Sequence, residues 1–309
     1  MRLHYGPRSA AASLTMLIAA SLGSIQANAE GPDKLKESDR WSPSLSVTLA
    51  MTIQDVEGYV SSTNDTQGTQ LRPTSEGDKV MLSPQGGGTL EIMSPSLPIP
   101  LGPRIFFDGE VWSVSNQRRR AAREGDPSGL KEPDEDSFGA GAILGQGSTT
   151  TIDLENVAYG AGIGIAFPVE IGDYKLLIKP AARYLRRKYK NQGAVLNAFR
   201  LNPNGPTRGV DLRGSEDFTV DAVGPSLEIE VEALGVGSLR SSVFANVAAF
   251  RILGNHNVAF STTDQDSLGQ QTFTANWIAD VNAWIYRAGI GMRVRWSGLP
   301  AGWLGTRRN

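Results

Sequence analysis

The 309-residue chain has no cysteine, which removes disulfides, thiolate metal sites and thiol nucleophiles together. Histidine is almost as scarce: beyond the N-terminal stretch only His256 remains. Charge of neither sign dominates, with 30 Lys and Arg against 32 Asp and Glu and a formal charge of −2. Setting aside Arg2 and Arg8 of the leader described below takes that to −4, a balance that gives no reason to expect nucleic acid as a partner. After the leader no stretch approaches the ~18 consecutive apolar residues of a spanning helix. Sustained helical periodicity is missing, as are phosphate-loop, HExxH and calcium-loop patterns, so no cofactor and no metal is expected.

What is present begins with MRLHYGPR, which is basic, followed by the small and apolar SAAASLTMLIAASLGS and by Ala27-Asn28-Ala29 before Glu30. That order predicts an export signal over residues 1–29, cleaved at an A-x-A site. Residues 30–43, opening EGPDKLKESDR, read as a flexible lead-in. Beyond them the dominant signal has a period of two. WIYRAGIGMRVRW places Trp284, Tyr286, Ala288, Ile290, Met292, Val294 and Trp296 on one parity. Arg287, Gly289, Gly291, Arg293 and Arg295 take the other.

The same alternation recurs in WSPSLSVTLAMTIQ, where Leu45 to Ile53 face away from Ser44 to Gln54. In TIDLENVAYGAGIGIAF the second face is nearly bare, with Gly160, Gly162 and Gly164. YKLLIKPAARY gathers Lys175, Lys179 and Arg183 on one parity, and VGPSLEIEVEA gathers Glu228, Glu230 and Glu232. LRSSVFANVAAF and RIFFDGEVW alternate less cleanly, because Phe244, Phe106 and Trp112 fall on the polar side; GTLEIMS offers only Leu90 and Ile92 against Glu91. These segments make eight strands, and ten if another hairpin lies around LRPTSEGDKVML.

Connections alternate in length. SLPIPLGP, PVEIGD and LGVGS are short and rich in Gly or Pro, whereas Val60–Gly88, Asn116–Thr149, Asn191–Ser215 and Gly254–Thr274 are long and polar. All four long connections therefore leave one end of an up-and-down meander, and both termini sit at the other.

In strand number, parity and loop asymmetry the chain resembles the small bacterial outer-membrane β-barrels, the OmpA-like and OmpW-like class, over Ser44 to Trp296. The resemblance implies an all-β fold: a closed, antiparallel, up-and-down transmembrane barrel over 44–296 with four long extracellular loops. A periplasmic tail over 297–309 would follow it. It also implies that Ile290, Met292, Val294 and Trp296 form the signal read by the outer-membrane insertion machinery, although SGLPAGWLGTRRN follows the aromatic that usually ends such chains.

Three physical points favour lipid on the apolar face. Twelve residue steps from Trp284 to Trp296 give about 40 Å, or near 28 Å at ~45° tilt, close to the ~25 Å apolar band of such barrels. Trp41, Tyr174, Tyr184, Trp284, Tyr286 and Trp296 supply aromatics for a girdle at the two interfaces. Glycine weakens a strand on an open face but makes room inside a narrow barrel, and it shares a parity with the arginines. An inward network of Lys175, Lys179, Arg183, Glu228, Glu230, Glu232, Arg287, Arg293 and Arg295 follows, because buried charges need partners. Pro180 and Pro225 on the lipid side lead one to expect local bulges or irregular pairing.

For chemistry there is little. His256 lies near Ser261 and Asp264, but three such residues in one polar loop carry no geometry, and a solvated loop is the expectation. Arg118, Arg119, Arg120 and Arg123 head a basic-then-acidic run that could contact lipopolysaccharide phosphates. The expected function is a non-enzymatic outer-membrane barrel with a lumen filled by charge, in a structural or surface-interaction role. Its partners would be outer-membrane lipid and lipopolysaccharide. The alternatives are a passive channel for small solutes and a soluble lipid-binding barrel with its faces reversed.

Overall fold

The computed structural model describes residues 40–114, 118–125, 142–172, 174–200, 207–236 and 238–296. The expected signal peptide, most of the lead-in and the C-terminal tail lie outside them. Eleven strands account for nearly all of what is described: β1 Ser42–Asn64, β2 Thr69–Met93, β3 Arg104–Val114, β4 Arg118–Gly125, β5 Ala142–Ile171, β6 Tyr174–Arg200, β7 Thr207–Val236, β8 Leu239–Leu253, β9 Asn257–Gln265, β10 Thr272–Val281 and β11 Trp284–Trp296. Among the described residues no helix is long and apolar enough to cross a membrane, which says nothing of strands.

Eight of these strands close a ring in the order β1-β2-β3-β5-β6-β7-β8-β11, every pairing antiparallel. Closure runs from Ser44 opposite Arg295 to Ile53 opposite Tyr286, so within this stretch the ring has no open seam. No extra hairpin enters it: LRPTSEGDKVML belongs to β2, which pairs with β1 almost from end to end.

On the outside of the ring, alternation yields an apolar belt. Leu49, Leu82, Leu90, Val111, Ile163, Val247, Ile290 and Met292 are among its exposed side chains. The belt ends abruptly on one side, where the next outward residue is Asp55 on β1, Asp78 on β2, Glu155 on β5, Arg186 on β6, Asp221 on β7 and Arg251 on β8. On β1 it spans Leu45 to Ile53, about the 9–11 residues with which a tilted strand crosses a bilayer. The face arrangement is the opposite of that in a soluble lipid-binding barrel.

Beyond this edge the strands run on, and here the structure departs from the four long loops read in the sequence. β1 continues to Asn64 and β2 starts at Thr69, while β6 and β7 carry most of the residues assigned to the third loop and β5 takes in the end of the second. Their polar side chains suggested coil, yet the period of two persists with inverted polarity: Asp55 and Glu57 now face out, Val56 and Val60 in. β8 stops at Leu253, and Gly254, with φ of 80°, turns the chain into the β9–β10 hairpin, which pairs with the far half of β1. β4 meanwhile pairs with the far half of β5.

The ring therefore divides into two four-stranded sheets, β2-β1-β10-β9 and β4-β5-β6-β7, with no ladder among the described residues between β2 and β4 or between β7 and β9. Val60, Phe273, Ala275 and Trp277 of one sheet pack against Val195, Val210 and Leu212 of the other.

Both prolines are accommodated without a bulge. β6 and β7 stay in register through Pro180 and Pro225. Instead the ladder between β5 and β6 skips the residues around Pro180, and that between β7 and β8 skips Gly224 and Pro225; pairing resumes in unchanged register. A missing N–H removes a hydrogen bond but does not force an extra residue into the strand.

Candidate functional site: the ion-paired lumen

Inside the belt, the inward parity of each strand delivers polar side chains to a narrow interior, where they form two tiers. The first is built from β2, β6, β7 and β11. Lys179 bonds Glu91 directly and lies 2.8 Å from Glu228 and 3.5 Å from Glu230. Arg293 bridges the same carboxylates: it contacts Glu230, its Nη2 donates to Glu228 at 3.1 Å, and it lies 3.6 Å from Glu91. Arg295 closes the cluster at 3.3 Å from Glu91 and 3.0 Å from Glu230. Ser242 donates to Glu230 at 2.7 Å. Three carboxylates thus meet three cations in a space with almost no exposure, the condition under which such charges can be buried.

The second tier lies one turn of side chains nearer the charged edge. Arg183 reaches from β6 to β3, donating to both oxygens of Asp108 at 3.1 and 2.9 Å and to Glu110 at 2.9 Å. Arg287 shares Glu110 at 2.8 Å from β11. Arg187 donates to Thr52 at 2.9 Å. The glycine-lined wall of β5 makes this possible, because Asp108 and Glu110 stand where side chains at Gly162 and Gly160 would be; a Cβ at Gly162 would lie 2.8 Å from Asp108 Oδ1.

Aromatics that broke the sequence pattern find their reason here. Phe106 lies beneath Lys179 at 4.6 Å, Trp112 beneath Arg287 at 4.4 Å and Phe244 beneath Arg293 at 4.6 Å, each a cation over a ring face. They belong to the polar parity because they are partners of the charges. Trp112 also joins Met81, Ile152, Leu185, Tyr189, Val220, Phe250 and Ile285 in one apolar cluster that fills the interior across the belt edge.

Of the nine charges assigned to the lumen from sequence, seven meet in these tiers: Lys179, Arg183, Glu228, Glu230, Arg287, Arg293 and Arg295. Two do not. Lys175 is exposed beside Glu170 at the turn end, and Glu232, half-exposed, pairs with Arg240 at 3.3 Å. Both keep the inward parity, but their strands there reach the mouth of the ring, where water replaces an internal partner.

Sequence reading missed Glu91, Asp108, Glu110 and Arg187. Arg187 was recoverable, since the parity of Lys179 and Arg183 runs straight on to it through RYLRRKYK. The carboxylates were hidden by short segments and by Phe106 and Trp112.

The girdle residues divide between the two rims. Trp41, Tyr174 and Trp296 lie at the turn end; Tyr184, Trp284 and Tyr286 lie at the charged edge, where Trp284 and Tyr286 stack with centroids 6.4 Å apart. The Tyr184 hydroxyl donates to Asp221 at 2.5 Å, which ties an amphipathic ring to the first charges beyond the belt. His256 Nδ1 lies 2.7 Å from Asp280, whereas Ser261 and Asp264 sit within β9 opposite Asn276 and Phe273. Among the described residues no three of His, Cys, Asp and Glu are placed to hold a metal ion. Arg118 to Arg120 and Arg123 fall on β4, whose side chains lie outside what is described.

No protein-family model matches this sequence, and no curated protein matches it. Solved structures that align with it include the outer membrane protease OmpT of Escherichia coli, at 12% identity over 89% of this chain and 100% of that one, TM-score 0.28. The attachment invasion locus protein Ail of Yersinia pestis aligns at 9% identity over 81% and 98%, TM-score 0.25. A FadL homologue of Pseudomonas aeruginosa aligns at 10% over 84% and 91%, TM-score 0.21. At these values no residue role carries across.

Proposed function

We propose that the chain is an integral outer-membrane β-barrel protein without enzymatic activity, exported by a cleaved signal peptide and seated in lipid by its apolar belt. One observation carries the reading: a closed ring with an apolar outer band that stops at a row of charges, around an interior filled by paired charges. An outer face of this kind is stable in hydrocarbon and costly in water, and ring closure leaves no open sheet edge in lipid. Outer-membrane lipid and lipopolysaccharide are the surrounding partners, and the insertion machinery reads Ile290, Met292, Val294 and Trp296 on β11.

The lumen supports a structural or surface-interaction role rather than a solute path. Lys179, Arg293, Phe106, Trp112 and Tyr189 are all nearly inaccessible and together occupy the bore. Past the belt, β7 runs on from Asp221 to Thr207. Those fourteen steps project the two sheets roughly 30–35 Å outward at ~45° tilt, and this is the surface available to a partner. Envelope fractionation with heat-modifiable migration on gels tests the membrane assignment: extraction only by detergent, with a folded band that shifts on boiling, is expected, and release by salt alone would overturn it. Planar-bilayer recording tests the closed lumen, where steady conductance steps would overturn it.

A further inference from the structure

The charges of the lumen do not balance. Glu91, Asp108, Glu110, Glu228 and Glu230 face Lys179, Arg183, Arg187, Arg287, Arg293 and Arg295, and the surplus cation sits in the second tier. It is Arg187. That residue keeps only 2% of its surface exposed and has no carboxylate partner among the described residues; it donates to Thr52 and lies against the Tyr189 hydroxyl, and its Nε makes no hydrogen bond. Thr52 stands directly opposite Arg287 in the β1–β11 ladder, so Arg187 reaches across the bore to the level of a second guanidinium. Arg287 spends Nη2 on Glu110, and its Nε and Nη1 have no acceptor. The Trp112 indole N–H, under Arg287, has none either.

A buried guanidinium cannot escape by losing its proton, and a buried charge without a counter-ion is strongly unfavourable. Water could accept from these N–H groups but would leave the charge uncompensated. We propose that the second tier holds one small monovalent inorganic anion of chloride's size. It lies between Arg187 and Arg287 and accepts from their unpartnered N–H groups and from Trp112. The surplus is a single charge and both guanidinium groups are almost fully enclosed, which favours a compact halide over phosphate or sulfate. The ion completes the plug as its last counter-charge and carries no solute.

Bromide is the probe. Crystals of the full chain, folded in detergent with bromide, should show a bromine anomalous peak within ~3.5 Å of the Arg187 and Arg287 guanidinium nitrogens, a charge-assisted contact lengthened by the halide's radius. Absence of that peak, or peaks on the outer surface alone, overturns the proposal. In solution, urea unfolding of the unaltered protein at constant ionic strength should follow ligand linkage: once the site binds, each tenfold rise in bromide over gluconate multiplies the folding equilibrium constant by up to tenfold. No dependence overturns it. Where Arg187→Gln folds, it should lose the dependence; an equal dependence in that variant places the halide elsewhere and also overturns it.

Discussion

The two halves of the molecule share strands but obey opposite rules. Within the belt β1 turns Leu45, Val47, Leu49, Met51 and Ile53 outward and Ser44, Ser46, Thr48, Thr52 and Gln54 inward. From the very next positions the same strand turns Asp55 and Glu57 outward and Val56 and Val60 inward. The backbone has not slipped: register against β2 is continuous from Ser42 to Val60. What changes is the solvent that each half is built for. One closes on ion pairs because its outside must be apolar; the other is held by an apolar core between two sheets because its outside must be wet, the ordinary arrangement of a β-sandwich.

The largest effect should come from the belt half, by breaking its central charge. Arg293→Met leaves Glu91, Glu228 and Glu230 sharing Lys179 and Arg295 in a nearly dry space, and losing one partner of a buried pair costs about 3–5 kcal/mol. Urea unfolding of detergent-folded protein should show this, together with loss of the heat-modifiable band. If the cost stays below ~1 kcal/mol, the tier is hydrated and the two halves do not differ in how they exclude water.

The matching change in the far half is Leu212→Ala, which cuts into the cluster with Val60, Phe273 and Trp277. A large-to-small change in such a core costs about 2–5 kcal/mol. Its consequence should be local. Hydrogen exchange should rise across β9, β10 and the far parts of β6 and β7, while the ring around Arg293 stays protected and the gel shift survives. Equal loss of protection in both halves would make them one cooperative unit and remove the distinction.

Much of this contrast was legible in the sequence, and the part that was not has a physical cause. The belt half announces itself because lipid demands apolar residues on one parity without interruption. The far half satisfies water, which tolerates Ser, Thr, Asn and Gly outside, so Val60 to Gly88 and Asn191 to Ser215 resembled loops although Val56, Val60, Val195, Val210 and Leu212 already mark an inward stripe. In the site, charges that repeat along a single strand were visible, as with Lys179 and Arg183 or Glu228 and Glu230. Glu91, Asp108 and Glu110 were hidden because their meaning comes from strands far away in sequence, and because aromatic partners of the cations disguised the parity.

The belt edge offers a sharper cut. Leu49→Arg places a charge at the middle of the apolar band of β1 and should cost about 2–4 kcal/mol, as for arginine at a bilayer midplane. Glu57→Leu, eight residues on and outside that band, should leave the urea midpoint unchanged within error. Comparable losses at both positions would move the edge away from Asp55.

The smallest expected effect concerns the tip of the far half, where charge is used in open water rather than in a dry bore. Asp65, in the turn between β1 and β2, accepts from Thr274 at 2.6 Å and from Thr63 at 2.7 Å, and these two hydroxyls, Thr274 foremost, hold its carboxyl below the usual carboxylate range. A depressed folded value means that the stabilisation is present above the unfolded value, near 3.9, and is lost as the pH falls through the folded one. Because Asp65 is fully exposed, global stability should hardly follow it. An NMR titration of the Asp65 carboxyl carbon should place its midpoint below ~3.9, and Thr274→Val should bring it back toward that value. An ordinary midpoint in the unaltered protein would mean that the two hydroxyls do not hold the carboxyl, and that the tip is tied to β10 by its backbone ladder alone.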